Sequence, residues 1–124
     1  MGLNRNNLEK YYTNPKFTKQ LYEIIKTNVN INYKKDILIE PSAGDGSFID
    51  ILCRLCKNVE LYDIEPGLNI IKKQDYLKLN ITNYKINSNC KYHAIGNPPF
   101  GRQSTLALKF IKKSCEFCHT ISFI

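Results

Sequence analysis

No run in this chain reaches the ~18–20 apolar residues of a membrane span. The opening segment, Met1-Gly2-Leu3-Asn4-Arg5-Asn6-Asn7, has no apolar signal-peptide core. Position 6 holds Asn6 rather than the Ser or Thr that N-myristoylation of Gly2 would use. From these absences we expect no membrane association and a cytoplasmic or nuclear location. Acidic residues are also scarce: 11 Asp and Glu stand against 18 Lys and Arg, a formal net charge of +7. That balance favours an anionic partner such as nucleic acid. Lys far outnumbers Arg, and Asn and Ile are abundant, a bias that fits an AT-rich coding sequence such as that of some large DNA viruses. There is no internal repeat, and 124 residues predict one domain, 1–124, large enough for a core of its own.

The order of elements is readable from apolar periodicity. Phe17, Leu21, Ile24 and Ile25 form one stripe at helical spacing, with Pro15 just ahead of it. Ile37-Leu38-Ile39 reads as a buried strand ending at Glu40-Pro41. A turn of small residues then opens a helix carrying Phe48, Ile49, Ile51, Leu52, Leu55 and Cys56. Further strands are expected at 59–62, 70–72, 91–96 and 120–124, with a helix over 104–117 and loop over 78–90. Strands alternating with helices predict an α/β fold, a Rossmann-like, doubly wound and mainly parallel sheet.

Five cysteines include two CxxC pairs, Cys53 with Cys56 and Cys115 with Cys118, a spacing that can mark zinc. Both pairs fall in amphipathic helical stretches rather than knuckle turns. In a doubly wound sheet those helices pack on opposite faces, so the four sulfurs cannot meet. We expect buried helix cysteines and no metal site. Cys115-Glu116-Phe117-Cys118-His119 also spells a haem-attachment motif, but nothing suggests the export that such chemistry needs.

The richest stretch is Asn97-Pro98-Pro99-Phe100, between the apolar run Tyr92-His93-Ala94-Ile95-Gly96 and a helical segment. Two prolines cannot continue a strand, since each lacks an N–H and fixes φ near −65°. The chain therefore leaves the sheet there, presenting an amide, two carbonyls and a ring at a strand's carboxyl end, where ligands bind in open α/β sheets. Gly44 and Gly46 follow the first strand and permit close backbone approach, beside a helix start whose N–H groups are expected to be free. Asp63 ends the second strand, where an acid can grip a ribose diol. Asp75 follows the third and is placed to accept from an exocyclic amine. In this order the features describe a nucleoside cofactor lying across the strand ends.

Glu40-Pro41-Ser42-Ala43-Gly44-Asp45-Gly46-Ser47-Phe48, Asp63-Ile64-Glu65-Pro66, Gln74-Asp75-Tyr76-Leu77 and Gly96-Asn97-Pro98-Pro99-Phe100-Gly101 together resemble the S-adenosylmethionine-dependent N6-adenine methyltransferases. Lys10-Tyr11-Tyr12-Thr13 resembles the segment that precedes the first helix in some members. The resemblance runs from about Lys10 to Ile124 and implies a class I methyltransferase fold. It implies S-adenosyl-L-methionine as cofactor, held by Thr13, Glu40, Ser42, Gly44, Gly46, Asp63, Ile64, Asp75 and Asn97. Thr13 would lie near the cofactor's carboxylate, Asp63 on its ribose hydroxyls, Ile64 on the adenine face and Asp75 at its amino group. Asn97, Pro98, Pro99 and Phe100 would carry the catalysis: Asn97 and the Pro98 carbonyl take the target amine, Pro99 holds Pro98 extended, and Phe100 stacks on the base.

The implied reaction is methylation of adenine N6 in DNA or RNA. The family continues past a fifth strand with two more, so the resemblance also implies a shortened domain and a second chain that supplies the remainder. Two other readings stay open: methylation of a protein glutamine amide, which uses a similar Asn-Pro-Pro-Tyr motif, and a non-catalytic cofactor-binding subunit.

Overall fold

A computed structural model describes residues 14–86 and 89–124. Helix α1, Pro15–Asn28, begins with its proline in the first turn. The Asn14 side chain caps it, accepting from the Lys16 N–H at 2.9 Å. The helix thus starts two residues before the apolar stripe. Strand β1, Ile37–Glu40, follows, then helix α2, Ile49–Leu55, and strand β2, Asn58–Asp63.

The third strand is where expectation and structure part. Strand β3 is only Lys72–Lys73, both residues exposed, paired with Tyr62 and Asp63. Ile71 fills core just ahead of the pairing, so the apolar run marked burial and not the ladder itself. A 3-10 turn, Tyr76–Lys78, leads into the region expected as loop, 78–90, which itself contains helix α3, Thr82–Ile86. Strand β4, Tyr92–Gly96, is buried along its whole length. Helix α4, Thr105–Cys115, and strand β5, Thr120–Phe123, complete the order.

All pairings are parallel, and the five strands lie in the order β3-β2-β1-β4-β5. Side chains alternate across β1, so Leu38 and Ile39 enter different layers. Leu38 packs with Leu21 and Ile25 of α1 and with Ile51, Leu52 and Leu55 of α2. Ile39 packs on the other face with Tyr62, Tyr76, Tyr92, Phe110 and Phe117. Helices thus cover both faces, with α2 and α4 on opposite ones. Cys56 and Cys118 fall just beyond these helices. Of the four CxxC cysteines expected to be buried only Cys56 is, Cys53 and Cys115 being exposed. The second layer is aromatic: Tyr76 stacks on Phe110 with centroids 5.6 Å apart. Tyr84 of α3 meets Tyr92 edge-on at 5.0 Å, and the Tyr62 and Tyr84 hydroxyls both donate to the Glu60 carboxylate.

A polar hub closes the amino-terminal edge of the sheet. Asp36 is buried and accepts from the N–H groups of Asn32 at 2.8 Å and Lys91 at 3.1 Å. The His93 ring lies 2.9 Å from Oδ2, the oxygen that also takes the Asn32 N–H, and bonds Thr120 at 2.7 Å, which ties β1, β4 and β5 together. Among the described residues, no helix is long and apolar enough to cross a membrane.

Candidate functional site at the carboxyl ends of the strands

The parallel sheet brings every loop that follows a strand to one edge, and a cleft of about 500 Å³ opens there. Four of the lining residues are acidic: Glu40, Asp45, Asp63 and Glu65. Among the described residues no Lys, Arg or His lines it, although the chain as a whole is strongly basic. The rest of the wall includes small, aromatic, aliphatic and amide side chains, among them Ser42, Gly44, Ile64, Gln74, Tyr76, Phe100 and Phe110.

The turn after β1 folds as its glycines require. Gly44 and Gly46 have φ of +58° and +87°, in the left-handed region that favours residues without a Cβ. Only Gly44 faces the cleft. A Cβ on Gly46 would strike the Leu68 and Ile49 side chains at 2.7 and 2.8 Å, so this glycine serves packing. The N–H groups expected to be free are largely engaged. Gly44 N–H donates to the Asp63 carboxylate at 2.8 Å, Gly46 N–H to the Ala43 carbonyl, and Ser47 N–H to Asp45. Helix α2 starts only at Ile49, beyond the turn. The turn therefore offers a ligand shape more than donors.

Asp63 uses both carboxylate oxygens locally, one on Gly44 and the other on the Glu65 N–H at 2.8 Å. Gly67 seals the same loop: its N–H donates to the Gly44 carbonyl, and a Cβ there would stand 2.9 Å from that oxygen. Ile64 is 57% exposed on the cleft wall. Asp75 is not part of the lining; one of its oxygens caps the 3-10 turn by accepting from Leu77 N–H at 3.0 Å. Its neighbour Gln74 takes the place on the wall. Thr13 lies outside the described residues.

Two buried side-chain oxygens among the described residues have no hydrogen-bond partner, Glu40 Oε2 and Asn97 Oδ1, and both line this cleft. They stand at the ends of the adjacent strands β1 and β4. An unpaired buried acceptor costs about 1–3 kcal/mol, so two together mark a surface made to receive donors. Glu40 is 1% exposed and leans on Gly96, where a Cβ would come within 3.0 Å of its side chain. Burial, then the nearby Asp45 and Asp63 charges, push its carboxyl up to about 8. Beyond Asn97, Pro98 is buried, Pro99 is exposed, and the Phe100 ring is 53% exposed at the mouth. Gly101, Gln103 and Ser104 all take positive φ, a sharp reversal that leaves Phe100 outside while Phe110 of α4 turns into the core.

Gln74, Tyr76, Glu65, Phe110 and Gly67 had no site role in the sequence reading, although the first three stand in the motifs that carry the resemblance. Tyr76 and Phe110 carry only the ordinary signature of core aromatics. Tyr76 is fixed by donating to Ser114 Oγ at 2.7 Å, the Ser114 hydroxyl itself donating to the Phe110 carbonyl. Gln74 could have been noticed as the polar residue beside Asp75 that a strand-end loop turns outward.

Fold and site together define an α/β protein with one five-stranded, all-parallel sheet, compatible with a Rossmann-like fold, and an acidic cleft at the carboxyl edge. No protein-family model matches the chain, and no curated protein matches it.

Proposed function

We propose that the cleft binds S-adenosylmethionine and that the protein methylates the N6 amino group of adenine in nucleic acid, with DNA ahead of RNA. The sheet is, on this reading, a class I methyltransferase fold. The observation that carries the proposal is Asn97 Oδ1, a buried acceptor without a donor, followed directly by the Pro98 carbonyl and the exposed Phe100 ring.

The lining suits the cofactor. A phosphate-bearing nucleotide would meet four acidic side chains and no cation among the described residues, whereas a nucleoside carrying positive charge is attracted. Glu40 would neutralise that charge, and Gly44 and Ser42 would let the ligand lie against the turn. Asp63 and Ile64 would hold its ribose and adenine, with Gln74 on the wall beside them. Bound there, S-adenosylmethionine would supply an electrophilic methyl group.

The residues at the end of β4 act on the acceptor. An adenine N6 amine is a poor nucleophile because its lone pair is delocalised into the ring. Accepting its two N–H groups, on Asn97 Oδ1 and the Pro98 carbonyl, favours a pyramidal nitrogen and grows stronger as positive charge develops there. Pro99 keeps Pro98 extended so that the carbonyl points outward. Phe100 gives an extruded base a surface to stack on and aligns it for displacement. The formal net charge of +7 fits a polyanionic substrate.

The test is incubation with methyl-labelled S-adenosylmethionine and DNA, RNA or protein, beside Asn97→Ala. Label recovered as N6-methyladenine from nucleic acid and lost in the variant is the expected result. Label on protein glutamine would move the substrate class. Cofactor binding without transfer to any acceptor would leave a binding subunit.

A further inference from the structure

We propose that Glu40 is a charge selector: it sits protonated in the empty cleft and gives up its proton to solvent when a ligand bearing positive charge binds. This deepens the cofactor assignment above and rests on it. Four observations support it. The Glu40 carboxyl is 1% exposed, and Oε2 has no partner. Asp45 from the turn after β1 and Asp63 from the end of β2 place negative charge beside it. Gly96 and Asn97 at the end of β4 and Phe48 ahead of α2 are uncharged, and no described base lines the cleft. A carboxylate cannot stay ionised there unaided, since desolvation and two like charges act in the same direction.

Binding a cation outweighs both effects. The ligand's positive charge offsets Asp45 and Asp63 and gives Glu40 an ionic partner, so the O–H bond breaks, the proton goes to water and the carboxylate remains. No other bond changes. A neutral nucleoside offers no such exchange and meets a neutral acid, so the cleft distinguishes the two by charge rather than by shape.

The linkage can be read without turnover. Titration calorimetry of the full chain with S-adenosylmethionine, in buffers of different ionisation enthalpy at pH 7, should show release of about 0.9 proton per ligand. Affinity should rise close to tenfold from pH 6 to pH 7. The neutral thioether 5′-methylthioadenosine should bind with no proton release and a flat pH profile. Glu40→Gln keeps the size and neutrality of the protonated acid. It should fold, abolish proton release and flatten the pH profile for S-adenosylmethionine. Binding of S-adenosylmethionine with heat independent of buffer and affinity independent of pH would overturn the selector while leaving the cofactor assignment intact. Equal proton release with the neutral thioether would also overturn it. Failure to bind S-adenosylmethionine at any pH would overturn both.

Discussion

The Asp63 carboxylate accepts the Gly44 N–H at 2.8 Å, which fastens the end of β2 to the turn after β1. A residue expected to hold a ligand thus first holds the loop that the ligand rests on. Asp63→Ala should weaken cofactor binding by more than tenfold and lower stability by about 1–3 kcal/mol, since Gly44 N–H and Glu65 N–H both lose their acceptor. Asp63→Asn retains an oxygen for one N–H and should recover part of the stability. Equilibrium urea unfolding beside calorimetric binding separates the two effects.

Phe100 makes the opposite case. Its ring is 53% exposed, so Phe100→Ala should leave the melting temperature within about 1 °C, as exposed substitutions usually do. Cofactor affinity should also hold. What should fall is affinity for the acceptor, because base–aromatic stacking contributes about 1–3 kcal/mol. Electrophoretic mobility of a labelled single-stranded oligonucleotide reads it directly; unchanged mobility would remove Phe100 from the acceptor site.

Glu40 also leaves a mark on stability. Its folded value of about 8 lies above the 4.5 of an ordinary Glu. Its contribution is therefore complete below about pH 4.5 and is lost as pH rises through 8. Glu40→Gln should melt close to the parent at pH 5 and above it at pH 8.5. Thermal melts across that range check the sign; a Gln variant less stable than the parent at pH 8.5 would contradict it.

Asp36 works the other way. Burial alone would raise its carboxyl, but the N–H of Asn32, the His93 ring and the N–H of Lys91 together hold it below the ordinary range. Its stabilisation is present at neutral pH and disappears as pH falls below about 4, through the depressed folded value. Asp36→Ala, which leaves the buried His93 ring and the Asn32 and Lys91 N–H groups without their acceptor, should cost about 1–3 kcal/mol at pH 7. The acid-unfolding curve of the variant, followed by circular dichroism, should be shallower below pH 4 than the parent's.

Much of the sheet was legible because each buried run is short and punctuated. Ile37-Leu38-Ile39 stops at Glu40-Pro41, and β4 stops at two prolines, so turn chemistry and apolar pattern agree. Helix α3 was not legible, since none of its five residues is buried and Tyr84 is anchored by Glu60, far away in the chain. Strand β3 was expected at 70–72 from its isoleucines, but the ladder falls on two lysines, so its register is revealed only by its partner strand. In the site, Asn97 and Glu40 were readable by motif and position. Their missing partners were not, because an unpaired oxygen is a property of what surrounds it. Gly46 looked like Gly44 on paper, and only the side chains of Leu68 and Ile49 separate their duties.

The central position of β1 has a kinetic consequence. Its residue Ile37 pairs with Asn58 on one side and with Tyr92 on the other, so the two orphan oxygens meet only after the more distant of those pairings has closed. Such non-local parallel pairings form slowly, because a long loop must be ordered before contacts reward it. The cleft is thus expected among the last features to appear during folding, with little form in the transition state. A ligand bound there should leave the refolding rate nearly unchanged and slow unfolding instead, so that occupancy lengthens the lifetime of the folded chain without hastening its birth.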